Sequence, residues 1–152
     1  MQVYRISRKK YANELSGIGA SKSGNRWNSK GTKIIYCADS RALAMAEVSV
    51  HLSLATLPKD FVMLEINIPK TIAVQVLSKN ELSEDWSVFP HTYKTQQIGD
   101  EFIYSKKIGV LKVPSAVVKG DFNYLINPHH KDFKKIKIVD FYDFPFDNRL
   151  FL

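Results

Sequence analysis

Five short runs rich in β-branched and large apolar residues, at positions 33–38 (KIIYCA), 61–68 (FVMLEINI), 71–77, 110–118 and 136–141, restrict this chain to folds built on a sheet. Residues 2–6 alternate polar and apolar as an edge strand does, and Pro114 interrupts the strand at 110–118. Only two stretches read as helices. Residues 41–55 (RALAMAEVSVHLSLA) carry good helix formers behind Asp39 or Ser40, either of which can satisfy an orphan N–H of the first turn. Residues 93–107 place Ile98, Phe102 and Ile103 for an amphipathic helix, with Gly99 as its weak point. The small, polar segment 16–28 (SGIGASKSGNRWN) and the segment 123–130 (NYLINPHH) read as loops, and the aromatic tail FYDFPFDNRLF is expected to pack on the sheet. The expected fold class is α+β: one domain over residues 1–152, sheet-rich, with a few helices.

At 152 residues and 45% hydrophobic, the chain has enough apolar material for one core of its own. No run of 18 apolar residues occurs and the start MQVYRISRKK lacks the apolar segment of a secretory signal, so a cytoplasmic protein without membrane contact is expected. A lone Cys37 excludes an intramolecular disulfide, and four histidines, mostly far apart, give no zinc spacing. His129 and His130 are adjacent on an extended segment and point to opposite faces, so no metal is expected there. Charge is distributed unevenly. Through Arg41 there are nine basic residues against Glu14 and Asp39, an excess equal to the +7 of the whole chain. A positive field of this kind fits an anionic partner, and it equally fits a solvated lysine face that keeps the protein soluble.

Glu47 is the first candidate for chemistry, because Leu43, Glu47, Val50 and Leu54 fall at the spacing of one helical face. A carboxylate on an apolar stripe needs a cationic partner, a cavity that a ligand fills, or a place at the wet margin. Arg26 is the second, in a Gly/Ser-rich loop where backbone N–H groups can approach a phosphate and a guanidinium adds a bidentate fork. That loop lacks the phosphate-binding glycine motifs, so a plain surface loop is the competing reading. Trp27 reads as a packing anchor. Tyr36 projects either into the space that Glu47 overlooks or into the core, and Ser115, after Pro114, reads as a turn hydroxyl with no base spaced to activate it.

Taken in order, VYRI at 3–6, GNRWNSKGTKIIYCADSRALAMAEVSVHL at 24–52, IGDEF at 98–102, LKVPSAVV at 111–118, NYLINPHH at 123–130 and FPFDNRL at 144–150 resemble the RES domain, a family named for an Arg, a Glu and a Ser. The resemblance implies a fold related to ADP-ribosyltransferase toxins and a toxin that depletes NAD⁺. It also implies an Xre-type antitoxin as partner, DNA contact only through that antitoxin, and a homodimer for which no stripe in the sequence marks an interface. Carried over residue by residue, the catalytic positions fall on Arg26, Tyr36, Glu47 and Ser115, and further pocket positions on Arg5 and Asn127. Asn25 stands where the family often has a second glycine before the Arg-Trp pair. Asn tolerates positive φ, so the turn is expected to persist.

The implied reaction cleaves the nicotinamide–ribose bond of NAD⁺ as substrate, with inorganic phosphate as co-substrate and no resident cofactor. In this reading Arg5 and Arg26 neutralise phosphate charge, Tyr36 stacks on or bonds the nicotinamide-ribose region, and Glu47 stabilises the oxocarbenium-like state. Ser115 donates a hydrogen bond to the ligand. Hydrolysis and protein ADP-ribosylation use the same pocket and stay open as alternatives. A basic nucleic-acid-binding module is the reading from a different class, and a purely structural partner-binding protein follows if Arg26 and Glu47 lie far apart.

Overall fold

Side chains alternate between two buried faces along most of the strands, and that period of two fixes how the rest of the chain packs. The computed structural model describes residues 1–151, so the last residue of the expected 1–152 domain lies outside the described residues. Seven strands form one sheet: β1 (Gln2–Arg8), β2 (Ile35–Ala38), β3 (Phe61–Asn67), β4 (Val74–Val76), β5 (Val110–Pro114), β6 (Phe122–Ile126) and β7 (Lys137–Asp143). Their order is β4-β5-β6-β2-β1-β3-β7, antiparallel throughout except for the parallel pair β4–β5. Three helices accompany them, α1 (Ile18–Ser23), α2 (Arg41–Ser49) and α3 (Tyr93–Ser105). The architecture is the expected α+β.

One sheet face buries Val3, Ile35, Cys37, Leu64, Tyr124 and Ile126. The other packs Leu111, Val113 and Leu125 under Phe102 and Ile103 of α3, and Ile6, Ala38 and Met63 under Leu43 and Ala44 of α2. The aromatic tail closes this second cluster, with the Phe146 ring 5.2 Å from that of Phe61.

Several expectations need correction. β1 is not an edge strand: it pairs with β3 along its whole length and with β2 at Tyr4↔Ala38. Gln2 and Arg8 at its ends are exposed, whereas Arg5 in its middle is half-buried between two strands. Of residues 71–77 only Val74–Val76 form a strand, at the sheet edge, with Gln75 and Val76 exposed. The supposed loop at 123–130 holds most of β6, whose consecutive buried Tyr124, Leu125 and Ile126 mark a strand covered on both faces, a pattern that alternation cannot reveal. The segment 16–28 contains α1, which begins after Gly17 at φ 73°. Helix α2 ends at Ser49 rather than near Ala55, and Ser40, not Asp39, caps it, its Oγ accepting from the Leu43 N–H at 3.0 Å.

Gly99 does not weaken α3; it admits another segment. A Cβ there would sit 1.6 Å from the main-chain oxygen of Trp27, so helix and loop touch backbone to backbone. Gly99→Ala should therefore destabilise the protein by about 3 kcal/mol or more, because the neighbour that must move is main chain rather than a flexible side chain. Urea denaturation beside the wild type measures this, and a loss below about 0.5 kcal/mol would contradict the close packing.

Candidate functional site

β1 and β2 pair at a single residue couple and then part, and Arg5 bridges them, its Nη1 donating to the Tyr36 carbonyl at 2.9 Å. Beside this gap lies a cavity of about 750 Å³. Its wall brings together Arg5 of β1, Arg26 and Trp27 of the loop after α1, Tyr36 of β2, Glu47 of α2 and Asn123 of β6. Four of the six residues singled out from the sequence thus share one cavity.

The loop carrying Arg26 is held from three sides. Gly24, at φ 75°, supplies the left-handed residue, and Asn25 bonds back to the Asn28 carbonyl through its N–H at 2.9 Å. Asn25 itself has no positive φ, so the turn persists by a different route from the one expected. Helix α3 then clamps the loop. Gln96 Nε2 donates to the carbonyls of Asn25 and Asn28 at 3.0 and 3.1 Å, and Asp100 accepts from the N–H and hydroxyl of Ser29. From below, fully buried Asn28 donates to the carbonyls of Ala20 and Thr32 and accepts from the Tyr36 hydroxyl at 2.6 Å. That hydroxyl in turn accepts from the Trp27 N–H at 3.0 Å. Tyr36 therefore presents its ring to the cavity while its hydroxyl is committed to the loop. Trp27, 2% exposed with its ring 6.1 Å from that of Trp86, is the anchor its sequence position implied.

Arg26 Nη1 donates to the carbonyls of Trp86 and Val88 at 2.7 and 3.0 Å, tying the segment before α3 to the cavity wall. Part of the fork expected to serve a ligand is thus spent on the protein. Burial lowers the Arg26 pKa, with Glu47 and Tyr36 opposing, but a guanidinium stays protonated. Among the described residues neither Arg5 nor Arg26 has a carboxylate within ion-pair distance.

Glu47 is held by neutral donors rather than by a cation. Its Oε1 accepts from Ser115 Oγ at 2.6 Å and from Asn123 Nδ2 at 2.7 Å. Val50 and Leu54 of the supposed stripe are exposed, because α2 stops short, and Glu47 faces the cavity instead of an apolar core. Ser115 is 4% exposed and its Oγ accepts from the N–H groups of Val117 and Val118 at 3.1 and 2.9 Å. It is both the turn hydroxyl and a support for Glu47, and it lies behind the cavity wall rather than in it. Asn127 needs a plain correction. It is fully buried away from the cavity, donating to the carbonyls of Phe102 and Ile103 at the end of α3 and accepting from the His129 N–H.

Sequence reasoning missed Asn123, Asn28, Gln96, Asp100 and His91. For Asn123 the signal was the β6 pattern; for Gln96, Gly99 and Asp100 it was their i, i+3, i+4 spacing on one helix face. His91 lies in the cavity wall with Nε2 3.2 Å from Gln96 Nε2. Burial, and then the Arg26 charge, hold it below the ordinary histidine range. Its unfolded form therefore binds a proton first, so stability is unaffected above the ordinary value and falls as pH drops through it toward the folded one. Imidazole NMR should place His91 below that ordinary value, and Arg26→Ala should raise it; an unperturbed titration would refute this environment. Cys37 is also constrained: burial pushes its thiol up to about 12, with Arg5 only partly opposing. It should resist iodoacetamide at pH 8 in the native protein and react once unfolded, as mass spectrometry can follow.

The fold is that of a small α+β protein solved in the Mycobacterium tuberculosis MbcT–MbcA toxin–antitoxin complex, a chain of which superposes with a TM-score of 0.74 at 20% identity over 95% of this chain and 84% of that one. Residues 2–147 match the RES domain, and the chain belongs to that family. It is 40% identical over 153 residues to a protein named Toxin Res of Photorhabdus laumondii, covering 99% of this chain and 97% of that one. It is also 38% identical over 128 residues to a Prs ADP-ribosylating toxin of a Sphingobium species, covering 83% of this chain and 80% of that one. Among the described residues no group of three His, Cys, Asp or Glu side chains is placed to hold a metal, and no helix is long and apolar enough to cross a membrane.

Proposed function

We propose that this protein is the toxin of a toxin–antitoxin pair and cleaves the nicotinamide–ribose bond of NAD⁺, passing ADP-ribose to inorganic phosphate. One observation carries the reading: a carboxylate fixed on one oxygen shares a cavity with two guanidinium groups that have no carboxylate partner of their own. Pyrophosphate and incoming phosphate need cations, and a ribose carbon that turns cationic needs an anion near it. The cavity offers both.

The C–N bond breaks with its electron pair going to the nicotinamide nitrogen, which cancels the ring's positive charge. A phosphate oxygen then bonds to the ribose carbon, giving ADP-ribose phosphate. Glu47 stabilises the positive carbon or holds a ribose hydroxyl, Arg5 and the unspent nitrogens of Arg26 hold phosphate oxygens, and the Tyr36 ring offers a stacking face. Because nicotinamide leaves as a neutral ring, the step needs no general acid. The names of the relatives support the reading: one is an ADP-ribosylating toxin, which favours transfer to a protein as the second reading, and the neighbouring fold was solved with its antitoxin. An Xre-type antitoxin that covers the cavity, DNA contact through it and a homodimer belong to the same proposal.

The nucleic-acid module receives less support. Five of the nine basic residues of the N-terminal third are already engaged: Arg8, Lys9 and Arg41 pair with Asp60, Asp143 and Glu65, and Arg5 and Arg26 line the cavity.

Incubating the protein with NAD⁺, with and without phosphate, and following products by mass spectrometry tests the proposal. ADP-ribose phosphate is expected only with phosphate, reduced at least about a hundredfold in Arg26→Ala and Glu47→Ala and suppressed by the antitoxin. Free ADP-ribose regardless of phosphate would indicate hydrolysis, and a labelled acceptor protein the second reading. NAD⁺ left intact by the folded protein both with and without phosphate would sink it.

A further inference from the structure

We infer that Asn123 is a positioning residue for the reaction, setting the plane and depth of the Glu47 carboxylate jointly with Ser115 so that Oε2 is its single acting oxygen. This rests on the reading of the cavity as an NAD⁺ site.

The argument starts from the hairpin that carries both donors. Asn123 pairs with Val113 across β5 and β6, and the turn between the strands is closed by Ser115 N–H to the Asp121 carbonyl at 2.8 Å and Asp121 N–H to the Val118 carbonyl at 3.1 Å. Ser115 and Asn123 are therefore presented as one unit. The Ser115 oxygen is occupied as acceptor by the N–H groups of Val117 and Val118, which leaves its only proton for Glu47. Asn123 differs from Ser115 in lying in the cavity wall itself, on the other side of the same oxygen.

Both donors converge on Oε1, and among the described residues Oε2 has no donor from the protein. Glu47 reaches the cavity from α2 through three rotatable bonds, and a carboxylate held by one donor alone can pivot about that contact. Two donors from one rigid hairpin remove the pivot. The carboxylate then meets the ribose already oriented, which is the form in which a charge is most effective in the transition state. A hydrogen bond to a charged group of this kind corresponds to roughly a ten- to hundredfold effect on rate when it is realised only at the transition state.

The test combines kinetics with crystallography of Asn123→Ala and of the near-isosteric Asn123→Leu, which loses the donor, keeps the shape and adds no charge beside Glu47. Both should lower kcat about ten- to a hundredfold with KM changed less than about threefold, and both should melt close to the wild type. In the Glu47→Gln background Asn123→Ala should cost nothing further, since Asn123 acts only through that carboxylate. The crystal structure of Asn123→Ala should show Glu47 displaced or in several conformers. Turnover within about twofold of wild type, full additivity with Glu47→Gln, or a Glu47 carboxylate unmoved in Asn123→Ala would each overturn the inference. Should the wild type leave NAD⁺ intact, the proposed function fails and the crystal structure alone decides for Asn123.

Discussion

Where α3 crosses the loop behind Arg26, main chain meets main chain, and the geometry of the cavity depends on that contact. Only a residue without a Cβ at position 99 lets the helix descend onto the Trp27 carbonyl. From that depth Gln96 and Asp100, on the same helix face, reach Asn25, Asn28 and Ser29. Helix α3 thereby fixes the loop mainly at its backbone, while the Asn28 side chain holds it from below. Trp27 is consequently free to fill the core, and Arg26 to face the cavity. Three helix positions thus convert a glycine-rich segment, flexible on its own, into a wall.

Neutral groups do most of the holding here, and charged groups are left for a ligand. Tyr36 and Asn28 support the arginine loop, Ser115 and Asn123 support Glu47, and backbone carbonyls take up part of Arg26. Had Arg26 been balanced by Glu47 in a direct ion pair, each would have cancelled the other's value to a substrate. Partial burial raises the strength of both fields, since fewer waters screen them. The same burial has a cost visible in the arginine, whose charged form is disfavoured relative to water.

The sequence made the broad fold readable because apolar runs and turn residues are local signals. Strand β3, helix α3 and the cap at Ser40 follow from such signals almost directly. β6 escaped because its apolar run, Tyr124–Ile126, is only three residues long between turn-forming asparagines, and the edge position expected of β1 failed because Arg5, half-buried between two strands, mimics a solvent-facing residue. Arg26, Glu47 and Tyr36 were readable through resemblance to a family, which supplied what spacing could not. Asn127 shows the limit of that route: four residues on from Asn123 in NYLIN, it caps a helix end instead of touching the cavity. Asn123 lies inside β6 and Asn127 just past its last residue; a continued pleat would put both on one face, so only the strand's end tells them apart.

Strand β6 lies between β5 and β2, yet it is the sixth of seven strands to be made. The hairpin it forms with β5 brings both donors to a glutamate 68 and 76 residues earlier in the chain. A chain growing from its N-terminus can pair β1, β2 and β3 once Asn67 is made, yet it holds Glu47 without the hairpin that orients its carboxylate until Asn123 follows. Assembly order thus separates making these side chains from arming them, and a product truncated before Phe122 carries the arginine and the glutamate but no place in which they work together.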